Sequence, residues 1–330
     1  MKRNILSALV CTAIFGVNVS YAQSTPRVGV SIYKYDDNFM MLMRKEMNKE
    51  IQQFNHLKWY MNDAQNSQVK QLRQIETLLE HRANALAVNI VNANESKTIV
   101  EKAKLNNVPI VFFNRDPTRQ ALDSYEKAYF VSSNPKEAGT IQGQLIANAW
   151  KANPSWDLNK DGKLQFVLLK GELGNVSQER SKAVVEELIR QGIMVEEVFS
   201  DTAMWRLAVA RNKMNEWLVS KRANEIEVVI SNNDEMAIGA LDALNAHEKK
   251  LPLFGVDALP EALALIKSGQ MVGTVLNDSQ AQGKAVVKLA ANLAQGKPAL
   301  QGTEWEGSSS RVIYIPHIGV DKMNLGQFLK

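Results

Sequence analysis

The feature that most constrains the fold is a regular alternation of short β-branched runs with amphipathic stretches. In the first part of the chain the predicted strands are residues 27–33, 57–61, 85–90 and 108–113. Helical patterns separate them at residues 38–54, 66–81 and 94–105. The run 108–113 is continuously apolar, which is typical of a parallel strand buried on both faces. Such alternation predicts βαβ units and a parallel sheet covered by helices on both sides.

The same pattern restarts after about residue 132. Further strands are predicted at residues 165–169, 194–199, 227–230, 252–256 and 271–275. Helical stretches are predicted at residues 205–219, 233–246 and 259–267. A length of 330 residues suits two domains, and no Gly/Ser/Pro-rich linker divides them. We therefore predict an α/β chain with two doubly wound parallel-sheet lobes and a ligand cleft between them.

Residues 1–22 have the three parts of a secretory signal peptide. Lys2 and Arg3 precede a mostly apolar stretch at 5–19, and residues 20–22 place small side chains at the −3 and −1 positions of a cleavage site. The apolar stretch is short for a transmembrane helix, which needs about 20 residues. We expect cleavage after Ala22 and export to the periplasm.

Composition excludes several classes of protein. Lys plus Arg exceed Asp plus Glu by 39 − 35 = 4, and the basic residues form no stripe, so nucleic-acid binding is not expected. A single cysteine, Cys11, excludes an internal disulfide, a cysteine zinc site and an iron–sulfur cluster. Cys11 could instead carry a lipid anchor, but Val10 precedes it where a small residue is needed.

Residues 157–165 match the first nine positions of an EF-hand calcium loop. Oxygen-bearing side chains stand at positions 1, 3, 5 and 9: Asp157, Asn159, Asp161 and Gln165. Gly162 occupies the sharp-turn position, and Lys163 stands where the ligand is a backbone carbonyl. Position 12 should be a bidentate Glu but is Leu168, so a last carboxylate would have to come from elsewhere. A plain polar turn is the alternative.

Short polar residues follow the predicted strands of both halves: Asp37, Asn114, Asn233, Asp257 and Asn277. In open α/β sheets, ligands bind beyond the carboxyl ends of the strands. Asn and Asp also form turns, so each residue alone has a structural explanation. Together, planar amides and carboxylates suit a polyhydroxylated ligand, and Phe39 and Trp205 lie near strand ends where an aromatic ring could stack on a sugar.

Catalytic alternatives have little support. The four histidines form no HExxH pair, and no G-x-S-x-G elbow, P-loop or G-x-G-x-x-G follows a strand. Asp37 and Asp257 could form the carboxylate pair of a secreted glycoside-acting enzyme. A sugar-responsive repressor would need an N-terminal helix-turn-helix, where this chain has a signal peptide.

Several ordered stretches closely resemble one family, the periplasmic D-galactose/D-glucose-binding proteins of bacterial sugar ABC transporters. They lie at residues 32–40, 111–114, 129–131, 156–162, 166–172, 201–205, 254–264 and 273–278. The resemblance implies a type I periplasmic binding protein, two lobes joined by three crossings, and no catalysis. It implies an N-terminal lobe of residues 23–132 and about 279–313, and a C-terminal lobe of 133–278 and about 314–330.

The resemblance also assigns site residues and partners. Hydrogen bonds to sugar hydroxyls would come from Asp37, Asn114, Arg180, Asn233, Asp257 and Asn277. Phe39 and Trp205 would sandwich the ring. A structural Ca²⁺ would be held by Asp157, Asn159, Asp161, Gln165, the carbonyl of Lys163 and a bidentate Glu227. The expected partners are a monosaccharide, with galactose or glucose first and a related hexose or pentose as the alternative, an inner-membrane ABC permease and a chemotaxis receptor. The protein is expected to act as a monomer and to bind no nucleic acid.

One segment departs from the family pattern. After Glu172 the family carries a His and an Asp that contact the sugar, and then an Arg; here residues 173–180 are one residue shorter. Arg180 aligns with the family Arg, Asn175 falls where the His would be, and the Asp has no acidic counterpart. A lost hydrogen-bond partner costs about 1–3 kcal/mol. The departure therefore predicts weaker binding or a related monosaccharide as ligand.

Overall fold

A computed structural model describes residues 25–329 of the chain, so the predicted signal peptide lies outside the described residues. Within them, one six-stranded sheet, the N-terminal sheet, contains β1 (Arg27–Ile32), β2 (Lys58–Asp63), β3 (Ala85–Val88), β4 (Ile110–Phe113), β5 (Ala128–Ser132) and β11 (Val312–Tyr314). The C-terminal sheet, also six-stranded, contains β6 (Lys163–Lys170), β7 (Met194–Thr202), β8 (Val228–Ser231), β9 (Leu253–Phe254), β10 (Gly273–Leu276) and β12 (Ile318–Asp321).

The two sheets have the same winding. The N-terminal sheet runs β2-β1-β3-β4-β5-β11, and the C-terminal sheet runs β7-β6-β8-β9-β10-β12. In each sheet the second strand in sequence lies at the edge beside the first strand, and the later strands follow on the other side of the first strand. This change in the direction of winding is characteristic of a doubly wound sheet. The predicted α/β class with two doubly wound lobes is confirmed.

One strand breaks the parallel pattern, because β12 pairs with β10 antiparallel. Only a few residues connect β11 in one sheet to β12 in the other, and so short a connection leaves no room for the crossover that a parallel partner needs. The periodicity analysis also missed β5, β11 and β12. The last two are short edge strands with exposed positions such as Tyr314 and Ile318, so they carry no continuous apolar run.

Helices cover both faces of each sheet. The N-terminal lobe holds α1 (Asn38–Ile51), α2 (Gln68–Glu80), α3 (Ser96–Leu105), α4 (Arg119–Asp123) and α10 (Ser279–Ala294). The C-terminal lobe holds α5 (Pro135–Ala152), α6 (Asn175–Arg190), α7 (Leu207–Leu218), α8 (Asp234–Ala246) and α9 (Pro260–Ser268). The chain therefore changes lobe between β5 and α5, between β10 and α10, and between β11 and β12.

Side-chain alternation along β4 shows why the strands are apolar throughout. Val111 and Phe113 pack into the core under α1 and α10, whereas Ile110 and Phe112 pack into the core under α2 and α3. All four are fully buried. Successive residues of a strand point to opposite faces, so a strand covered on both sides must be apolar at every position.

Helices α5 and α6 pack at unusually close range. A Cβ built on Gly139 would lie 2.4 Å from the Arg180 carbonyl oxygen and 2.8 Å from Ala183 Cβ. Only glycine admits this approach, which sets the position of α6 and, with it, of Arg180.

We predict that Gly139→Ala lowers the free energy of unfolding. Alanine favours a helix by about 1 kcal/mol over glycine, but overpacking against a backbone atom costs about 1–3 kcal/mol. Thermal melting measures the change, with Gly326→Ala as control because no described atom lies within 4 Å of the added methyl. Equal melting temperatures for the two variants would contradict the prediction.

Candidate functional site

The carboxyl ends of the parallel strands face a cavity of about 500 Å³, lined by residues of both lobes. It holds all eight residues that the sequence singled out: Asp37, Phe39, Asn114, Arg180, Trp205, Asn233, Asp257 and Asn277. Side chains from positions up to 240 residues apart meet here because each follows a strand or begins a helix at the same edge. A cavity of this size suits a small-molecule ligand.

The N-terminal wall of the cleft is built from the ends of β1 and β4. Asp37 is the N-cap of α1, where its Oδ1 accepts a hydrogen bond of 2.8 Å from the Met40 amide, and its Oδ2 accepts one from the Tyr33 hydroxyl. Phe39 follows on the same helix. Asn114 comes directly after β4, and its Oδ1 accepts from Asn89 Nδ2 at 3.2 Å.

The C-terminal wall is built from α6, β8 and β10. Asn233 is the N-cap of α8 and accepts from the Met236 amide at 2.9 Å. Asn277 follows β10; its Nδ2 donates to Asp257 Oδ1 at 3.2 Å. Trp205 packs against Gly171, where a Cβ would lie 2.0 Å from the indole ring. Glycine at that position therefore admits the aromatic ring to the cleft wall.

Three of the eight residues have left-handed backbone conformations. The φ angles are +62° for Asn114, +59° for Trp205 and +118° for Asp257. Such angles are uncommon outside glycine and are costly for a bulky side chain. Hydrogen bonds with neighbouring residues hold Asn114 and Asp257 in these conformations.

Arg180 and Asp257 form a buried, oppositely charged pair. Their Nη1 and Oδ1 atoms are 4.0 Å apart, and both side chains are more than nine-tenths buried. Burial raises the pKa of Asp257 from 3.8 to about 7, although Arg180 opposes the shift. Burial likewise lowers the pKa of Arg180, with Asp257 and Asp234 acting against it. The pair offers a cation and an ionisable acceptor in a site with little water.

Sequence reasoning missed two buried asparagines that hold these walls. Asn89 Nδ2 donates to the Phe113 carbonyl and its Oδ1 accepts from the Tyr33 amide. Asn232 accepts from Arg180 Nη1 at 2.8 Å through its carbonyl and from Ser177 Oγ at 2.9 Å through its side chain. Asn232 directly follows β8, so the strand-end rule could have found it, but it stopped at the neighbouring Asn233. Asn89 lies inside the predicted strand 85–90, which extends two residues beyond β3.

The segment that departs from the family joins the lobes. Arg115 Nη2 donates to Glu172 Oε2 at 2.6 Å, and Asn175 Nδ2 donates to Asp116 Oδ2 at 3.0 Å. The first bond runs from the end of β4 to the loop after β6, and the second runs from the end of β4 to the first residue of α6. The Asn175 amide is therefore engaged by Asp116 of the other lobe. We call these four residues the interlobe clasp; the sequence analysis did not anticipate it.

The predicted calcium loop surrounds a set of oxygen atoms beside β6. Asp157 Oδ2 accepts from the Gly162 amide at 3.0 Å, and Asp161 Oδ1 accepts from the Lys163 amide at 2.9 Å. Asn159 Nδ2 lies 3.1 Å from Gln165 Oε1. Gly162 has a φ of +77°, as the sharp turn requires.

Glu227 comes to this loop from the start of β8. It is 1% exposed, and its two oxygens accept from the Leu158 amide at 2.7 Å and the Gln165 amide at 3.0 Å. Burial raises its pKa, and Asp157 and Asp161 add to the effect. The donor set consists of hard oxygens, which is the chemistry that Ca²⁺ requires.

Between residues 25 and 329, no three His, Cys, Asp or Glu side chains are grouped as a metal centre, and this includes the carboxylates of Asp157, Asp161 and Glu227. None of the helices formed by these residues combines the length and apolar content that crossing a membrane requires.

Residues 28–298 match the model of a family described as "Periplasmic binding protein domain". The chain belongs to the periplasmic binding protein family. It is 56% identical to the D-galactose/methyl-galactoside binding periplasmic protein of Haemophilus influenzae, over all of both chains. The resemblance noted in the sequence is thus confirmed, and the chain is a binding protein and not an enzyme.

More distant relatives bind other polyols. A xylitol-binding protein of Mycolicibacterium smegmatis is 27% identical, covering 91% of this chain and 79% of that protein. An ABC transporter solute binding protein of Bacillus halodurans, solved with bound myo-inositol, has a TM-score of 0.79 at 27% identity, covering 92% of this chain and 97% of that one.

The buried carboxyl of Asp257 predicts a pH-dependent stability. A carboxyl whose pKa is higher in the folded protein stabilises it below the unfolded-state value, and this contribution is lost as the pH rises to about 7. The stability of the wild type relative to Asp257→Asn should therefore fall between about pH 4 and pH 7, by at most about 1.4 kcal/mol per pH unit.

Urea unfolding of the sugar-free protein at several pH values measures this difference. Comparison with the variant matters because His317, whose pKa burial lowers to about 4, contributes stability with the opposite pH dependence. Parallel stability curves for wild type and variant would show that Asp257 keeps an ordinary pKa.

Proposed function

We propose that this protein captures one monosaccharide in the cleft between its lobes and delivers it to an ABC permease of the inner membrane. D-Galactose and D-glucose are the first candidates. The observation that carries the proposal is the convergence of six short polar or charged side chains and two aromatic rings on one cavity of about 500 Å³. The 56% identity to a galactose-binding periplasmic protein supports the choice of sugar.

The chemistry of the cleft fits a sugar. Each hydroxyl group both donates and accepts a hydrogen bond, so carboxylates, amides and a guanidinium together can satisfy a ring of hydroxyls. Phe39 and Trp205 offer apolar faces for the C–H surfaces of the ring. Asp257 and Arg180, held near each other and away from water, are the residues whose loss should weaken binding most.

A related hexose or pentose is the second candidate. The amide of Asn175 is already bonded to Asp116, and Ser177 donates to Asn232. At the position of the family's sugar-contacting His, this chain therefore has an amide that is engaged with the protein, and the family's Asp has no acidic counterpart. A sugar that needs fewer hydrogen bonds at that end of the cleft would lose less.

Export and partners complete the proposal. We infer cleavage after Ala22, release into the periplasm and action as a monomer. The interlobe clasp exists only when the lobes are together, which is the state that a permease or a chemotaxis receptor would have to recognise. N-terminal sequencing and sedimentation of the exported protein test these points.

We infer further that residues 157–165 and Glu227 hold a structural Ca²⁺. Three carboxylates from Asp157, Asp161 and Glu227 would be joined by oxygens of Asn159, Gln165 and the Lys163 carbonyl. The convergence of these residues beside β6, in a loop with the sharp glycine turn, supports the assignment. The ion would tie the loop to β8 and take no part in sugar binding.

For the sugar, we expect calorimetry to detect one hexose per chain, recovered chemically unchanged. Asp257→Ala should weaken binding by about tenfold to a hundredfold, because it leaves ligand hydroxyls and Arg180 without a partner in a desolvated cleft. Asp242→Ala, at an exposed position of α8, is the control. If calorimetry detects no binding of any hexose or pentose tested to the folded protein, the proposal is refuted.

For calcium, we expect chelation to lower the melting temperature while hexose affinity stays nearly constant. An ion that binds only the folded protein stabilises it by about 2.7 kcal/mol at a hundredfold excess over Kd. Glu227→Gln should abolish that calcium-dependent shift, whereas Glu216→Gln, at an exposed position of α7, should not. A melting temperature that changes neither with chelator nor with added Ca²⁺ would rule out the site.

A further inference from the structure

The turn that carries Asp257 has an unusual backbone. Asp257 and Ala258 are consecutive non-glycine residues with φ angles of +118° and +53°. Such conformations are strained for residues that carry a Cβ, and they persist only where the surroundings hold them. The Asp257 amide is accounted for, since it donates to the Val275 carbonyl at 2.8 Å. The next two amides need other partners.

Two buried side chains provide them. Asp234 Oδ2 accepts from the Leu259 amide at 2.8 Å. Thr274 Oγ1 accepts from the Ala258 amide at 3.3 Å and donates to Asp234 Oδ1 at 2.6 Å. Asp234 and Thr274 therefore form a continuous chain of hydrogen bonds under the turn, and both are fully buried.

The surroundings leave this arrangement little freedom. A Cβ on Gly255 would lie 2.0 Å from Asp234 Oδ1, so the carboxyl fits only because residue 255 is a glycine. The Asp234 amide donates to the Val256 carbonyl at 2.7 Å, which ties the start of α8 to the strand leading into the turn. Asp234 does not line the cleft, whereas Asp257 does.

Burial also affects the ionisation of the Asp234 carboxyl. Burial raises its pKa well above the usual range, and the charge of Asp257 raises it further. Arg180 lowers the pKa of Asp257, whereas the charges of Asp37 and Glu235 raise it. The hydrogen bonds from the Thr274 hydroxyl and the Leu259 amide oppose the rise in the pKa of Asp234.

We propose that Asp234 and Thr274 are positioning residues, which hold the left-handed turn at 257–258 so that the Asp257 carboxylate points at the ligand. Their effect on binding is transmitted through Asp257. This inference rests on the proposed sugar-binding function, because ligand affinity is its principal readout.

The decisive variant is Thr274→Val, which keeps the side-chain volume and removes the hydroxyl. Asp234→Ala makes the same test from the other side but leaves a cavity, so its folding must be checked by circular dichroism. We expect Thr274→Val to weaken hexose binding roughly tenfold. Thr274→Ser, which restores the hydroxyl, should bind within about twofold of the wild type. Thr140→Val, on the surface of α5, is the matched control.

A double-mutant cycle separates positioning from general destabilisation. In an Asp257→Asn background, Thr274→Val should change affinity by less than about twofold, because the carboxylate that it positions is gone. An undiminished loss in that background would overturn the proposal, as would an unchanged affinity for Thr274→Val in the otherwise wild-type protein.

Amide hydrogen exchange of Ala258 and Leu259 gives a readout that needs no ligand. Both amides should be protected in the wild type and exchange faster in Thr274→Val. If the wild type binds none of the sugars tested, the proposed function fails while this measurement still decides whether Thr274 and Asp234 hold the turn. Equal protection in wild type and variant would refute the positioning role by itself.

Discussion

Parallel strand pairing is the constraint on which the site depends. In each lobe it turns the carboxyl end of nearly every strand toward one edge, and the three crossings bring the two edges face to face. Residues far apart in sequence, such as Asp37 and Asn277, meet there without any long loop to carry them. The repeated apolar strands thus build the two cores and also determine where polar side chains can gather.

The second constraint is the removal of water from that edge. Arg180, Asp257 and Asp234 lie where burial works against their charged forms, and each is therefore held by several specific partners. Buried polar groups without partners are costly, which explains why Asn89 and Asn232 use several of their hydrogen-bonding atoms on backbone and neighbouring side chains.

The interlobe clasp shows how one altered loop can change the role of a residue. Sequence comparison with the family places Asn175 at a sugar-contacting position, but its amide donates to Asp116 in the opposite lobe. Beside it, Arg115 lies 4.4 Å from the centre of the Tyr33 ring while it bonds to Glu172. Tyr33 in turn bonds to Asp37, so the clasp and the N-terminal wall of the cleft form one connected set of contacts.

The sequence by itself determined the α/β class, the two lobes, nine of the twelve strands in the described residues, and the identity of the cleft residues at strand ends. These follow from periodicity and from short polar residues next to apolar runs, which are local properties of the chain. It could not place the edge strands β11 and β12, because three or four half-exposed residues carry too weak a pattern. Only the tertiary structure decided the clasp, the left-handed turn at Asp257 and the hydrogen bonds of Asp234 and Thr274 beneath it. Those features depend on which side chains meet across lobes or strands, and on how much water their contact excludes.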